Sequence, residues 1–382
     1  MKLGVITFPI SKAGFSGIYP LESLINILYH LSGDIYLITG DFGFEYFKNN
    51  DKVNLFGINY ESESNSFLRI LKYISIQIKM AYRIICLARN VNYWIFSFGG
   101  QELLLPVLVA KLLNKSVILL VVDNTGKGEV NRDQFYRTLK FLNKITRSLS
   151  DRIVIDINVK SDSLIRKFEL KNYEKKTSFG GAVPVDSSLF YVKKKLKNRN
   201  NLIGYFGRHS IEKGVLNFLN AIPFILAERN DLEFLIGGDG ELFEEIENEL
   251  KQSEFQDKVV LTGYVPRNEI SDYFNSLKIM VVPSYTETIP NVILENMACG
   301  TPIVASAVDA IPDLIKDGEN GFLMENNSPE CISKNVLRAL SDPNLDNIVK
   351  RAQEIIDQDY SQNAVNMNYK NLFERIKSSK GG

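Results

Sequence analysis

Four charged side chains in two short segments hold most of the chemistry this sequence offers. The richer segment is PSYTETIPNVILENMACGTPIVAS, residues 283–306. It reads as strand end, loop, helix, glycine turn and strand. Seven residues separate Glu287 from Glu295, and Pro290 falls at or beside the first helical position that proline favours. The backbone amides of residues 288–292, those of Thr288, Ile289, Asn291 and Val292 among them, then point out of a helix start, where a phosphate can bind. Glu287 just precedes that anion site. A carboxylate there is repulsive unless it accepts hydrogen bonds from hydroxyls, which points to a sugar. Glu295, about two turns along, can reach a ribose hydroxyl pair. Two glutamates at this spacing are common in helices; set within PS-x2-E-x2-P-x3-LE-x-MA-x-G-x-PIVAS they are a specific pattern.

The second segment is YFGRHSIEKG, residues 205–214, in which a strand delivers Gly207 and Arg208, and Lys213 follows at a helix start. Such cations in a loop are ordinarily solvated surface. Here the loop ends a domain's first strand, the edge at which open α/β sheets bind ligands. Two cations and a helix N-terminus can hold a diphosphate without a metal. Only His30 and His209 are available as imidazole ligands, which nearly excludes a His-ligated metal. His30 lies in an apolar helical pattern and is expected to pack; His209 follows Arg208 and is also expected to be structural. Three weaker segments complete the candidates. LIGGDGE (235–241) offers Gly238 and Asp239 on a strand-to-turn backbone that a ligand could approach closely; TGYVPRNEI (262–270) offers backbone beside Tyr264 and Val265 to a base edge; PISKAGFSG (9–17) carries Gly14 and Gly17 in a loop that could close over phosphates.

The elements that must position these residues follow an alternating pattern of short β-branched runs and longer helical stretches, the mark of parallel-sheet α/β domains. Strands are predicted at 3–8, 35–39, 93–98, 116–122 and 152–156, and again at 201–207, 232–238, 258–263, 279–284, 301–306 and 321–324. A basic, glycine-free tract between the two series is the expected linker. The division is therefore 1–192, linker 193–201, 202–355, and a helical segment 356–382 that packs back on the first domain.

Composition narrows the classes. The chain has 382 residues, 45% apolar and 24% charged, enough for two buried cores and far from the profile of disorder. Lys+Arg and Asp+Glu both total 45, so overall charge favours no nucleic acid partner. The halves differ, however: residues 1–190 hold 24 basic and 17 acidic groups, leaving 21 and 28 for the remainder. Cys86, Cys299 and Cys331 are too few and too scattered for a disulfide scaffold or a paired-cysteine metal site. The start, MKLGVITFPI, reads as a strand instead of a signal core, and no run reaches the roughly 18 apolar residues of a membrane span. A cytoplasmic protein is expected. One stretch, 67–90, has five basic residues and no acidic one, with Arg69, Lys72, Lys79 and Arg83 on one stripe of a helix. It is either a core helix with a solvated basic edge or a helix lying on an anionic membrane face.

With these motifs in view, the second half resembles the retaining glycosyltransferases of family 4. The resemblance is close over about 200–325 (GR-x4-KG, GGDGE, the spaced glutamates, A-x-G-x-PIVAS, DGENGFLM) and looser before it, where GGAVPVDSSLF (180–190) is similar to a domain-crossing segment of the family. It implies the GT-B fold: two facing Rossmann-like domains, the first on the acceptor side, the second holding a UDP- or GDP-linked sugar. Carried over, Arg208 and Lys213 would bind and stabilise the departing diphosphate, Glu287 would accept from the donor sugar, the amides of Ile289, Asn291 and Val292 would hold phosphate oxygens, and Glu295 the ribose. No metal, cofactor or enzyme nucleophile is implied. The sequence departs in having Thr288 where many members have glycine, and in lacking a first-domain histidine. The matching region, 121–128, offers Asp123, Asn124 and Thr125. The expected function is transfer of a sugar to a glycan or lipid-linked acceptor of the cell envelope. A non-catalytic nucleotide-sugar-binding protein and a GT-B epimerase are the alternatives. A dehydrogenase is excluded by the absence of GxGxxG after either first strand.

Overall fold

The computed structural model describes residues 2–10, 18–60, 65–121, 134–180, 183–287 and 290–378. Gly14, Gly17, Asp123, Asn124, Thr125, Thr288 and Ile289 lie outside the described residues. The chain divides into two compact units: 1–158 with 169–183 and 365–382, and 159–168 with 184–364.

The first unit is built on seven parallel strands, β1 (Leu3–Thr7), β2 (Ile35–Thr39), β3 (Val53–Gly57), β4 (Tyr93–Ser97), β5 (Ser116–Val121), β6 (Arg152–Ile155) and β7 (Thr177–Phe179), in the order β3-β2-β1-β4-β5-β6-β7. The central strands are buried on both faces, which is why they read as unbroken apolar runs: Ser116–Val121 is buried at every position. One face packs on the helix Ile18–Ser32 and on Val365, Tyr369, Phe373 and Ile376 of the last helix, Gln362–Ser378. The other, which carries Trp94, packs on Met80 and Ile84 and on the helix Leu104–Leu112. His30, expected to pack, is instead exposed, since its position in the last turn of Ile18–Ser32 faces away from the apolar stripe.

The second unit repeats the plan with β8 (Leu202–Phe206), β9 (Glu233–Gly237), β10 (Val259–Gly263), β11 (Ile279–Val282), β12 (Ile303–Ser306) and β13 (Phe322–Met324), all parallel, in the order β10-β9-β8-β11-β12-β13. The order reverses between β8 and β11. Loops leaving those two neighbours start at their carboxyl ends, the place where open α/β sheets characteristically bind ligands in a crevice.

The two compact units differ from the expected boundaries in three places, one of them at the C-terminal segment, where residues 356–364 fall in the second unit and only 365–382 in the first. The short helix Asp162–Lys167 and the segment from Pro184 onward belong to the second unit. The tract 193–201 is not a free linker: Arg199 is only 5% exposed, and its guanidinium donates to the carbonyls of Lys194, Phe274, Leu277 and Cys299 and to Thr301 Oγ1. Burial lowers its pKa to about 10. Lys193 is fastened too, through Ser271 and Asp272.

Candidate functional site

The two chemistry-bearing segments leave adjacent strands. Residues 207–214 follow β8 and residues 283–290 follow β11, so the strand order alone sets them side by side at the switch point. Their backbones interlock. Tyr285 N donates to Glu212 O at 2.9 Å, and Asn217 Nδ2 donates to Tyr285 Oη at 2.9 Å. Gly214 has φ +68, and a Cβ there would lie 2.1 Å from Pro283 O. The helix after it is Val215–Glu228, so Lys213 ends a single 3₁₀ turn, Ile211–Lys213, and is not the first residue of the helix as expected; the left-handed Gly214 separates the two.

That turn delivers the Lys213 ammonium onto the Glu287 carboxylate, in an ion pair with Glu287 only 9% exposed. Lysine has three N–H donors, so this contact leaves others for a ligand. Arg208 is half exposed, with Nη1 3.6 Å from Glu212 Oε1, and its backbone is fixed by Tyr205, whose buried hydroxyl donates to Arg208 O at 2.8 Å. Burial pushes the Tyr205 phenol well above its usual range, so it stays a donor. His209 is wholly buried, its ring stacked on Phe243 with centroids 5.7 Å apart, and burial pushes its pKa down. It is a neutral packing residue.

The glycine-rich segment serves this loop before any ligand. Gly238 has φ +118 and its Cβ would sit 1.9 Å from Gly207 O, while a Cβ on Gly240 (φ +159) would meet His209 O at 2.4 Å. His209 N donates to Asp239 O at 2.9 Å. Gly238, Asp239 and Gly240 therefore hold the 207–209 backbone in place.

Glu287 is positioned by a residue that the sequence reading missed. Asp309 Oδ2 accepts from the Glu287 amide and from Thr286 Oγ1, both at 2.8 Å, and from Lys167 Nζ at 2.9 Å. Ser163 Oγ donates to Asp309 O at 2.7 Å. Burial pushes the Asp309 carboxyl up, but the hydrogen bonds from Lys167, Thr286 and Glu287, with the lysine charge, outweigh it and hold the pKa below normal. Asp309 adopts φ +47, a left-handed conformation that Asp tolerates better than most residues. The signal in sequence was faint, an aspartate in VASAVDAIPD with its partner Lys167 142 positions away.

Glu295 lies in the helix Asn291–Ala298, with Pro290 as its N-cap and not its first turn. It is 6% exposed and meets Arg267 Nη1 at 2.8 Å, while the Arg267 guanidinium lies over the Phe190 ring at 5.1 Å. Burial raises the Glu295 pKa to about 7, against the opposing pull of Arg267. Arg267 stands in TGYVPRNEI without having been singled out. Val265 is half-buried two residues before it, and Asn291 is exposed at the helix start. The structure thus brings Lys213 and Glu287 into contact, sets Arg208 on the same loop, and ties Glu295 to Arg267. The Asp357–Asp359 pair stands exposed in the turn Ile356–Tyr360, and among the described residues no three His, Cys, Asp or Glu are grouped to hold a metal.

This arrangement coincides with a family signature. Residues 188–355 match the model for glycosyl transferases group 1. That stretch is similar to a group 1 glycosyl transferase domain. Among its relatives are an uncharacterized glycosyltransferase of Methanocaldococcus jannaschii, 32% identical over 167 residues, 44% of this chain and 43% of that one, and a capsular polysaccharide biosynthesis glycosyltransferase of Staphylococcus aureus, 26% identical over 154 residues, 40% of each. The matches span less than half the length of these relatives. The likeness of fold runs further: a crystal structure of Anabaena HepE in complex with UDP aligns over 98% of this chain and all of that one, with TM-score 0.77 at 15% identity. The two Rossmann-like units are those of the GT-B fold.

Proposed function

We propose that the chain transfers a sugar from a nucleoside diphosphate to an acceptor hydroxyl, with retention at the anomeric carbon and without a metal, in building an envelope polysaccharide or lipid-linked glycan. The observation carrying this reading is the Lys213–Glu287 contact at the β8/β11 crevice, a cation for phosphate oxygens joined to a carboxylate for sugar hydroxyls. The UDP in the Anabaena structure and the polysaccharide pathway of the Staphylococcus relative support it.

In this mechanism the diphosphate lies across the 207–214 loop and the start of Asn291–Ala298. Charge builds on the phosphate oxygen as its bond to the anomeric carbon breaks. Lys213 and Arg208 stabilise that charge from fixed positions, where one well-aimed donor is worth about 3 kcal/mol. The acceptor oxygen bonds to the anomeric carbon on the same face, and its proton passes to the departing phosphate. Glu287 accepts from the sugar hydroxyls and Glu295 from the ribose, Arg267 holding the latter in place.

A thermal-shift screen of nucleoside diphosphates and nucleotide sugars, with and without EDTA, tests the reading. A cognate nucleotide at a hundred times its Kd should stabilise by about 2.7 kcal/mol and raise Tm by roughly 5–10 °C, chelator or not. No shift with any nucleotide, or a shift abolished by EDTA, would overturn it.

A further inference from the structure

Among the described residues, the helix Ser66–Cys86 shows a buried face, an exposed apolar face and a partly buried basic edge. Tyr73, Ile76, Gln77, Met80, Ala81 and Ile84 point into the first unit and are nearly inaccessible. A second face, recurring at the same helical spacing, presents Phe67 (67% exposed), Leu71, Ile74, Ile78 (54%), Tyr82 (61%) and Ile85 to solvent. At 1.5 Å per residue this apolar stripe is about 27 Å long. Between the two, Arg69, Lys72, Lys79 and Arg83 form a cationic edge, and no carboxylate occurs between residues 65 and 101. The helix alongside, Leu104–Leu112, adds Leu112, at 85% among the most exposed large apolar residues described. Scattered apolar residues on a surface are ordinary; a continuous stripe of this length is a contact face.

We propose that this face docks on an anionic lipid bilayer, the helix lying along the surface with its apolar stripe in the headgroup boundary. The charge pattern selects this occupant. A protein partner's interface is apolar at its centre with lysine depleted, whereas here lysines and arginines line the apolar stripe along its length, where long side chains can bury their stems and leave their charges at phosphate level. A helix of this kind, apolar on one side and basic beside it, partitions into the plane of an anionic interface. No described helix is long and apolar enough to cross a membrane; the proposed contact is peripheral. It involves no residue of the candidate site and stands apart from the proposed donor chemistry.

The test is co-sedimentation of the full chain with vesicles of phosphatidylcholine alone and of phosphatidylcholine mixed with phosphatidylglycerol. Binding to the mixed vesicles should be at least about tenfold tighter than to the neutral ones, and weaker at high salt. The double variant Ile74→Ser/Ile78→Ser, at exposed positions where folding is little affected, should lose about tenfold or more on the mixed vesicles. Lys79→Glu should lose a similar factor there and little on neutral ones; Arg83, which stacks on Phe56 at 5.5 Å, is less suitable. Thermal melts confirm that each variant is folded. Absence of binding to either vesicle, equal binding to both, or unchanged binding of the Ile74→Ser/Ile78→Ser variant would overturn the proposal. So would a wild-type dimer that this variant converts to monomer, which would assign the face to a second copy of the chain.

Discussion

Lys213 is a charge shared between the protein and its proposed ligand. Paired with Glu287 at low exposure, it is held in one place, and a diphosphate meets it already aimed. Lys213→Ala should reduce transfer by about 100- to 1,000-fold, measured as kcat/KM on the cognate donor, and should lower the melting temperature, since the nearly buried Glu287 carboxylate loses its ion pair. Asp309 works at one remove. Asp309→Ala removes the acceptor shared by the Glu287 amide, Thr286 and Lys167, at a cost on the order of 1–3 kcal/mol in stability, and should lower kcat more than it raises KM, because Glu287 is displaced but not lost. Glu295 supplies a pH dependence. Its pKa is raised from 4.5 to about 7, so its native form is protonated below that, and its contribution to stability is present in acid and lost as pH rises through about 7. Accepting from ribose hydroxyls needs the carboxylate, so nucleotide affinity should rise with pH up to about 7, measured by calorimetry. Glu295→Gln should flatten that profile.

Among elements, the plainest strands in the sequence were those buried twice over, although the edge strands β10 and β13 of the second sheet were read as well. The inner strands β1, β4, β5, β8, β11 and β12 announce themselves as unbroken apolar runs because both faces are covered by helices. The strands that escaped notice, β3 and β7, are the two edges of the first sheet, only partly buried and in β7's case three residues long. The motif glycines were legible as loops, but their reason was not: Gly214 and Gly238 are demanded by neighbouring backbone that only the fold brings near. The tract 193–201 misled because lysine-rich composition suggests solvation, while a single arginine in it gathers four carbonyls and a hydroxyl. Arg199→Met strands those buried acceptors and should cost at least about 3 kcal/mol, seen as a Tm fall of roughly 6 °C or more in the second unit.

At the scale of the molecule, the two units could be anticipated from the repeated strand pattern, but their boundaries could not. The chain crosses between units more than once, and the last helix contributes Val365, Tyr369, Phe373 and Ile376 to a core begun at residue 3. Contacts of such separation leave no local trace in composition. Removing residues 362–382 should strip about 6 kcal/mol or more from the first unit, comparable to a domain's whole stability, so limited proteolysis should degrade that unit while the second remains resistant. The most direct measurement of the central claim concerns the crevice between β8 and β11. Calorimetric titration should compare a cognate nucleoside diphosphate with its parent nucleoside, on wild type and on Lys213→Ala, with EDTA present. The expected result is binding of the diphosphate at least about 100-fold tighter than the nucleoside, with most of that advantage gone in the variant. Equal affinity for nucleoside and diphosphate, or a diphosphate affinity that Lys213→Ala leaves intact, would contradict it.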